Sequence, residues 1–558
     1  MSATTVRLQT ISSPEAVATS SLRRSSWVRP ASTRQAEFQH DRELDDAIPL
    51  HSLQPTVSAR EVPFSITDAS RTAAIITSVT LVTAISTLLN GLTTVALPTI
   101  TSELHIPDSM QLWPSSIQAL TTGCTLLFSG TIADALGSRF MYLAGTILQA
   151  GFILGCGLAR SSAQLILFRG LSGVAVSLCL PSAVSIITSS FIGKRRDMAF
   201  AAMGGGQPVG FSVGLALGGV LTDTVGWRWG FYIAAILNIA VLGIAIWGLP
   251  KEIDDRSAEG PQSSTWRHKL GRLRTEIDWI GAGVASASLA LLSYAFSAIT
   301  GSTVDIRQPS TIASLTTAIA LIPVFILWVG RQERLGKPAI IPNSLWRNRT
   351  FTTICVAVFF TWGSFNALET ILTFYFQKAQ GLSAIRTSLY FLPAPVSGTL
   401  SNVIMGLVVH RVKANYLVLG GCLLSVVAPL VLVGAGVDSD YWKTGELPGN
   451  IFNPIGADSL FTIANLLITS VFPAKTQALA GGVFNTVSQI GKAVGLALVA
   501  VIASTVTAES RIVDRASPAA LMDGYRATWW YSFACIVFTV TICLWGLRGI
   551  GMVGHKRD

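Results

Sequence analysis

Read for polar and apolar positions, the chain breaks into long apolar runs separated by short polar links. No charged residue occurs from Thr72 to Ser102, and roughly 20 apolar residues cross a bilayer as a helix. Comparable runs fall at 112–133, 140–159, 164–192, 198–222, 229–249, 279–300 and 311–330. They resume at 351–376, 388–409, 416–437, 450–472, 474–506 and 528–547. Fourteen spans are therefore expected. Runs of this length satisfy their backbone in lipid only as helices, so the expected class is an all-α polytopic membrane protein.

Composition agrees. Half of the residues are hydrophobic and 13% are charged, against roughly 25% in an average soluble domain. The net charge of +10 raises the question of nucleic acid, and the placement of the charges answers it. With the N-terminus in the cytosol, the cytoplasmic segments hold 29 of the 40 Lys and Arg and the outer loops hold 9. That is the positive-inside bias; nucleic-acid binding is not expected, and both termini are placed in the cytoplasm. The seven cysteines all fall inside spans without metal-ligand spacing and read as small buried residues.

Six organisational blocks follow the 1–71 tail, which is polar, rich in Ser, Thr and Arg and expected to be disordered. They are a six-span half (72–249), a cytoplasmic loop (250–278), two further spans (279–330), a second loop (331–350), another six-span half (351–548) and a short tail (549–558). Weak internal repetition supports the two halves. Gly130-x3-Asp134-x2-Gly137-x-Arg139 after the second span is matched by Gly406-x3-His410-Arg411-x-Lys413. Gly210, Gly214, Gly218 and Gly219 in span five are matched by Gly491 and Gly495 in span thirteen. Repeated halves are common in transporters.

These motifs resemble those of the major facilitator superfamily, in its fourteen-span drug:proton antiporter branch, and are most similar to the fungal aminotriazole-resistance type. Gly130, Asp134, Gly137 and Arg139 match the family's loop motif, and Arg169 with Gly173 matches its Arg-x3-Gly. Gly210, Gly214, Gly218 and Gly219 match the antiporter motif of span five, with Leu215 where the family has proline. Asp278-Trp279-Ile280-Gly281-Ala282 opens span seven as in the branch, and Tyr375-Phe376-Gln377, Gly381-Leu382-Ser383 and Phe391-Leu392-Pro393 follow span nine. One departure is chemical. The stretch Leu88 to Thr94, before Ala96-Leu97-Pro98, has no acid where many relatives carry an Asp.

The resemblance implies a major facilitator fold of two six-helix halves plus two inserted helices. It implies proton-coupled efflux of a small organic compound, a toxin, drug or secondary metabolite, across the plasma membrane, with the vacuolar membrane as the other location. By the same resemblance Arg169 couples proton and substrate movement, Gly130, Asp134, Gly137 and Arg139 form a conformational latch, and the span-five glycines pack two helices closely. The proton gradient stands in place of any cofactor, and a monomer is expected.

The residues themselves narrow the chemistry. An intramembrane Arg keeps its proton and must face protein or water. A proton carrier needs a group that loads and unloads; with no acid in span one, Glu369 and Asp458 are the candidates, and Lys492 is a partner for either. Gln118, Gln207, Asn366 and Asn485 are polar candidates for a cavity wall. There is no Gly-x4-Gly-Lys-Ser/Thr loop and no zinc-type His cluster, so neither ATP hydrolysis nor an enzyme is expected. Two alternatives stand beside efflux: movement of a small inorganic solute such as ammonium or borate, and a non-transporting sensor built on a carrier fold.

Overall fold

The computed structural model describes residues 68–550, except 108–109, 192–193, 251–276, 302–307, 338, 340, 410, 444, 472–473, 513 and 549. The predicted disordered tail up to residue 67, most of the central loop and the last eight residues lie outside the described residues.

Among the described residues there are fifteen α-helices and no strand. The first half comprises α1 (Ala69–Glu103), α2 (Trp113–Leu136), α3 (Ser138–Leu158), α4 (Ser162–Ser190), α5 (Lys194–Thr224) and α6 (Arg228–Gly248). Next come α7 (Trp279–Gly301) and α8 (Pro309–Arg334). The second half holds α9 (Arg349–Phe374), α10 (Ala384–Phe391), α11 (Pro393–Val408), α12 (Ala414–Leu432), α13 (Glu446–Val471), α14 (Ala474–Glu509) and α15 (Pro518–Gly546). Among the described residues ten helices are long and apolar enough to cross a membrane.

Each expected span falls on helix, with one correction to the count of fourteen helices. The tenth span is two helices, α10 and α11, meeting at Leu392 and Pro393. A proline has no N–H to donate and is tolerated in the first turn of a helix, so α11 restarts there. At the end of α9, residues Tyr375–Ala379 widen into a π-helix, a form that is rare and concentrates at functional sites.

Side-chain caps fix several helix starts. Asp68, Ser161, Ser383 and Ser517 each accept a backbone N–H at the head of α1, α4, α10 and α15. Asn348, part of an Asn-x-Thr glycosylation pattern, caps α9 by accepting from Phe351 N at 3.1 Å. Between α2 and α3 there is one residue, Gly137, with φ of 111°; a side chain would strain that turn.

Both halves repeat one packing seam. Gly210, Gly214 and Gly218 of α5 lie against the α1 backbone at Ala84, Leu88 and Leu92; a Cβ on Gly218 would stand 2.9 Å from Leu92 Cα. In the second half Gly491 and Gly495 of α14 lie against Phe359 and Gly363 of α9; a Cβ on Gly495 would stand 2.5 Å from Gly363 Cα. Gly219 faces elsewhere, toward Ser388 of α10.

The halves meet at the face where α1, α5 and α9 end, called distal here. There Val95, Leu97 and Leu215 join Leu368, Phe376 and Phe391 in one apolar core. Asp223, near the end of α5, accepts N–H bonds from Ala384 (3.3 Å) and Ile385 (2.8 Å) in the first turn of α10. From the π-helix, Gln377 Nε2 donates to Val95 O at 2.8 Å and Lys378 Nζ to Gln111 Oε1 at 3.2 Å. Charge at the head of α10 is thus met by a carboxylate from the other half, as a helix N-terminus favours.

Candidate functional site

Arg169 sits two turns into α4 and is 1% exposed. Its position depends on how closely α2 approaches. Thr121 and Thr122 of α2 donate to the carbonyls of Gly170 (2.8 Å) and Gly173 (3.0 Å). A Cβ on Gly173 would overlap Thr121 and the Gln118 carbonyl. The Arg-x3-Gly pattern therefore joins a charge to the small residue that admits the neighbouring helix. Once there, α2 offers Pro114 O to Arg169 Nε at 2.9 Å. Nη2 donates to Asn90 Oδ1 of α1 at 3.3 Å. Nη1 is buried and has no hydrogen-bond partner in the protein.

This guanidinium lines a small polar cavity between the halves. The first half supplies Asn90, Thr94, Ser115 and Arg169. The second supplies Asn366, Glu369 and Thr370 from α9, and Lys492 and Leu496 from α14. Its free space is on the scale of one water molecule, so an organic cargo enters only if the halves move apart. Glu369 is 4% exposed. Glu369 and Lys492 interact through charge, yet among the described residues no ion pair within 4.0 Å joins Lys492 to Glu369 or Asp458.

Four residues singled out by sequence thus come together here: Arg169, Glu369, Lys492 and Asn366. Asp458 does not line the cavity. It projects from α13 toward α11, where Gly398 makes room for its carboxylate and the Asn402 side chain is a polar neighbour. Gln118 is buried beside α1, its Nε2 donating to Ser86 Oγ at 3.4 Å. Gln207 is half-buried in the first half of α5. Asn485 donates to Gly481 O of its own helix at 2.9 Å. None of these three is on the cavity wall.

Of the predicted latch, Gly130 faces Pro181 of α4, and Arg139 Nε donates to Leu249 O at 2.9 Å, tying the head of α3 to the end of α6. The side chain of Asp134 lies outside the described residues. The span-seven motif is a helix cap: Asp278 Oδ1 accepts from Gly281 N at 2.8 Å and from Trp328 Nε1 of α8 at 2.9 Å. It holds the inserted pair together.

Asn90, Thr94, Ser115 and Thr370 are cavity residues that sequence reasoning passed over. Asn90 carried a signal, being the single carboxamide of α1, in the stretch noted for its missing acid. A buried Arg in search of an acceptor points to it.

Comparison with known proteins agrees with this architecture. Residues 79–496 match the family model described as Major Facilitator Superfamily. The "MFS-type transporter 1" of Pyricularia oryzae is 38% identical over 522 residues, covering 87% of this chain and 85% of that protein. The "Aminotriazole resistance protein" of Saccharomyces cerevisiae is 25% identical, covering 76% and 75%. The same yeast's "Low affinity ammonium transporter" is 24% identical, covering 79% of each. Among solved structures, a bacterial homologue of the human lysosomal transporter Spinster, in an inward-facing and unoccupied conformation, superposes with a TM-score of 0.57 at 15% identity, covering 86% of this chain and 98% of that one. The chain belongs to the Major Facilitator Superfamily and is a multi-pass membrane transporter, not an enzyme.

Proposed function

We propose that this transporter expels a small organic compound from the cytosol by alternating access, coupled to protons, and that Glu369 is the group that takes up and releases the proton. The observation that carries the reading is the cavity between the halves. It sets a permanently charged Arg169 from one half opposite a carboxylate and an ammonium from the other. A carboxylate held near two cations, but in no ion pair with Lys492, can gain or lose a proton without breaking a direct bond.

Supporting the direction are relatives named for resistance to aminotriazole and puromycin. The distal ties at Asp223, Gln377 and Lys378 close the bundle on what the positive-inside bias makes the outer side. That leaves the cavity to open toward the cytoplasm. On this reading the protein works as a monomer in the plasma membrane, with fourteen spans, both termini inside and the proton gradient as its energy source. The yeast ammonium transporter supports a second reading, movement of a small inorganic solute, but two cations on the cavity wall disfavour a small cation such as ammonium.

The test is transport by the purified chain in sealed vesicles. Cargo export, read as accumulation inside inverted vesicles, is expected to rise with an imposed proton gradient and to fall to the exchange-only level when an uncoupler collapses it. Equal accumulation with and without the gradient would remove proton coupling from the reading.

A further inference from the structure

The cavity holds more hydrogen-bond donors and positive charge than the protein itself satisfies. Arg169 Nη1 and Ser115 Oγ are both buried and both lack a partner, although their residues are 1% and 7% exposed and line the same space. Leaving such a group unmade is costly unless something meets it for part of the cycle. Ser115 lies in the first turn of the 24-residue α2, so the positive end of that helix faces the cavity as well. The charge inventory points the same way. Arg169 and Lys492 stand against one carboxylate on the wall, Glu369. Asp458 is within electrostatic reach of Glu369, but it faces α11 and Asn402.

From this we infer that the cavity binds an anionic group of the cargo, a carboxylate or an oxyanion of similar size, through Arg169 Nη1, the Ser115 hydroxyl and the Lys492 ammonium. The fit is chemical. A guanidinium edge and a hydroxyl together offer the converging donors that a carboxylate accepts. A cationic cargo would meet like charge from two of the three ionised side chains on the wall. A neutral cargo would leave one positive charge without compensation in a site of low dielectric. The remainder of an organic anion would occupy the space that appears as the halves separate. An anion leaving the cytosol also moves with an inside-negative membrane potential, in the direction proposed above.

This inference rests on the transporter reading for its meaning, and its test is independent of transport. The full chain, purified into lipid nanodiscs, is titrated with benzoate, benzamide and benzylamine. These share one ring and carry negative, zero and positive charge. Binding is read by tryptophan fluorescence and by the shift in thermal midpoint. Benzoate is expected to bind roughly tenfold or more tightly than the other two, as the loss of a hydrogen bond to a charged group implies. Ser115→Ala should weaken benzoate several-fold and leave benzylamine unchanged. Arg169→Lys, which keeps the charge and loses the fork, should weaken it further, and Arg169→Gln should erase the preference. If Arg169→Gln does not fold, Ser115→Ala and Lys492→Gln carry the test. Equal binding of the three probes, tighter binding of benzylamine, no measurable benzoate binding, or a benzoate preference that survives these variants would overturn the inference. Gradient-driven transport that persists in that event would leave the transporter reading intact; an anion preference without gradient dependence would remove proton coupling alone.

Discussion

The two halves share a seam and differ in what they bring to it. In the first half, α5 lies on α1 through Gly210, Gly214 and Gly218; in the second, α14 lies on α9 through Gly491 and Gly495. Small residues allow this approach in both places. Above the first seam the cavity receives Arg169, whose Nε and Nη2 are fixed by Pro114 O and Asn90. Above the second it receives Glu369 and Lys492, which no ion pair within 4.0 Å joins. A repeated scaffold therefore carries divided chemistry. One half positions a charge that does not change, and the other holds the groups able to change theirs.

That contrast can be broken at several points. Removing the fixed charge has the largest expected effect: Arg169→Ala should abolish transport while the chain still reaches the membrane, as measured by vesicle uptake beside surface abundance. Overpacking the seams comes next. Gly214→Leu and Gly495→Leu should each cost about 1–3 kcal/mol, read as loss of thermal midpoint in detergent or nanodiscs. Similar losses would mean that the seams are equivalent in energy as well as geometry. A smaller effect is expected at the distal face. Asp223→Ala leaves the Ser383 cap but removes the acceptor from the other half for two N–H groups of α10, a loss of about 1 kcal/mol. Such a change moves a two-state equilibrium about fivefold, here toward a distal-open form. A cysteine placed at Thr94 should then label faster with an impermeant reagent. Smallest of all, Asp458→Asn should keep the gradient dependence of transport, because Asp458 faces α11 rather than the cavity.

Much of the fold was legible in the sequence because charge is excluded from long runs in lipid. Among the described residues every span from Thr72 to Leu547 falls largely on helix for that reason. The break at Leu392–Pro393 was visible as a proline but lay inside an unbroken apolar run, where hydropathy cannot register a kink. The cavity was legible in part. Arg169, Glu369 and Lys492 stand out as charges inside spans, a property of single positions. Which of them meet depends on how helices distant in the sequence pack, and nothing local encodes it. Asp458 shows the limit: the polar residues of α13, among them Asn450, Asn453, Ser459 and Asn465, are spread around its circumference, so its pattern assigns no face, and only packing turns the carboxylate toward α11. Asn90 was missed because its role exists only once Arg169 reaches it across 79 positions.

The division of labour between the halves has one direct test, the gradient dependence of Glu369→Gln in vesicles. This variant keeps the shape of the side chain and removes the titratable group. The expected result is a protein that still exchanges cargo across the membrane when no gradient is imposed, yet no longer accumulates it when a proton gradient is applied. Accumulation at the wild-type level would contradict the assignment of the proton to the second half.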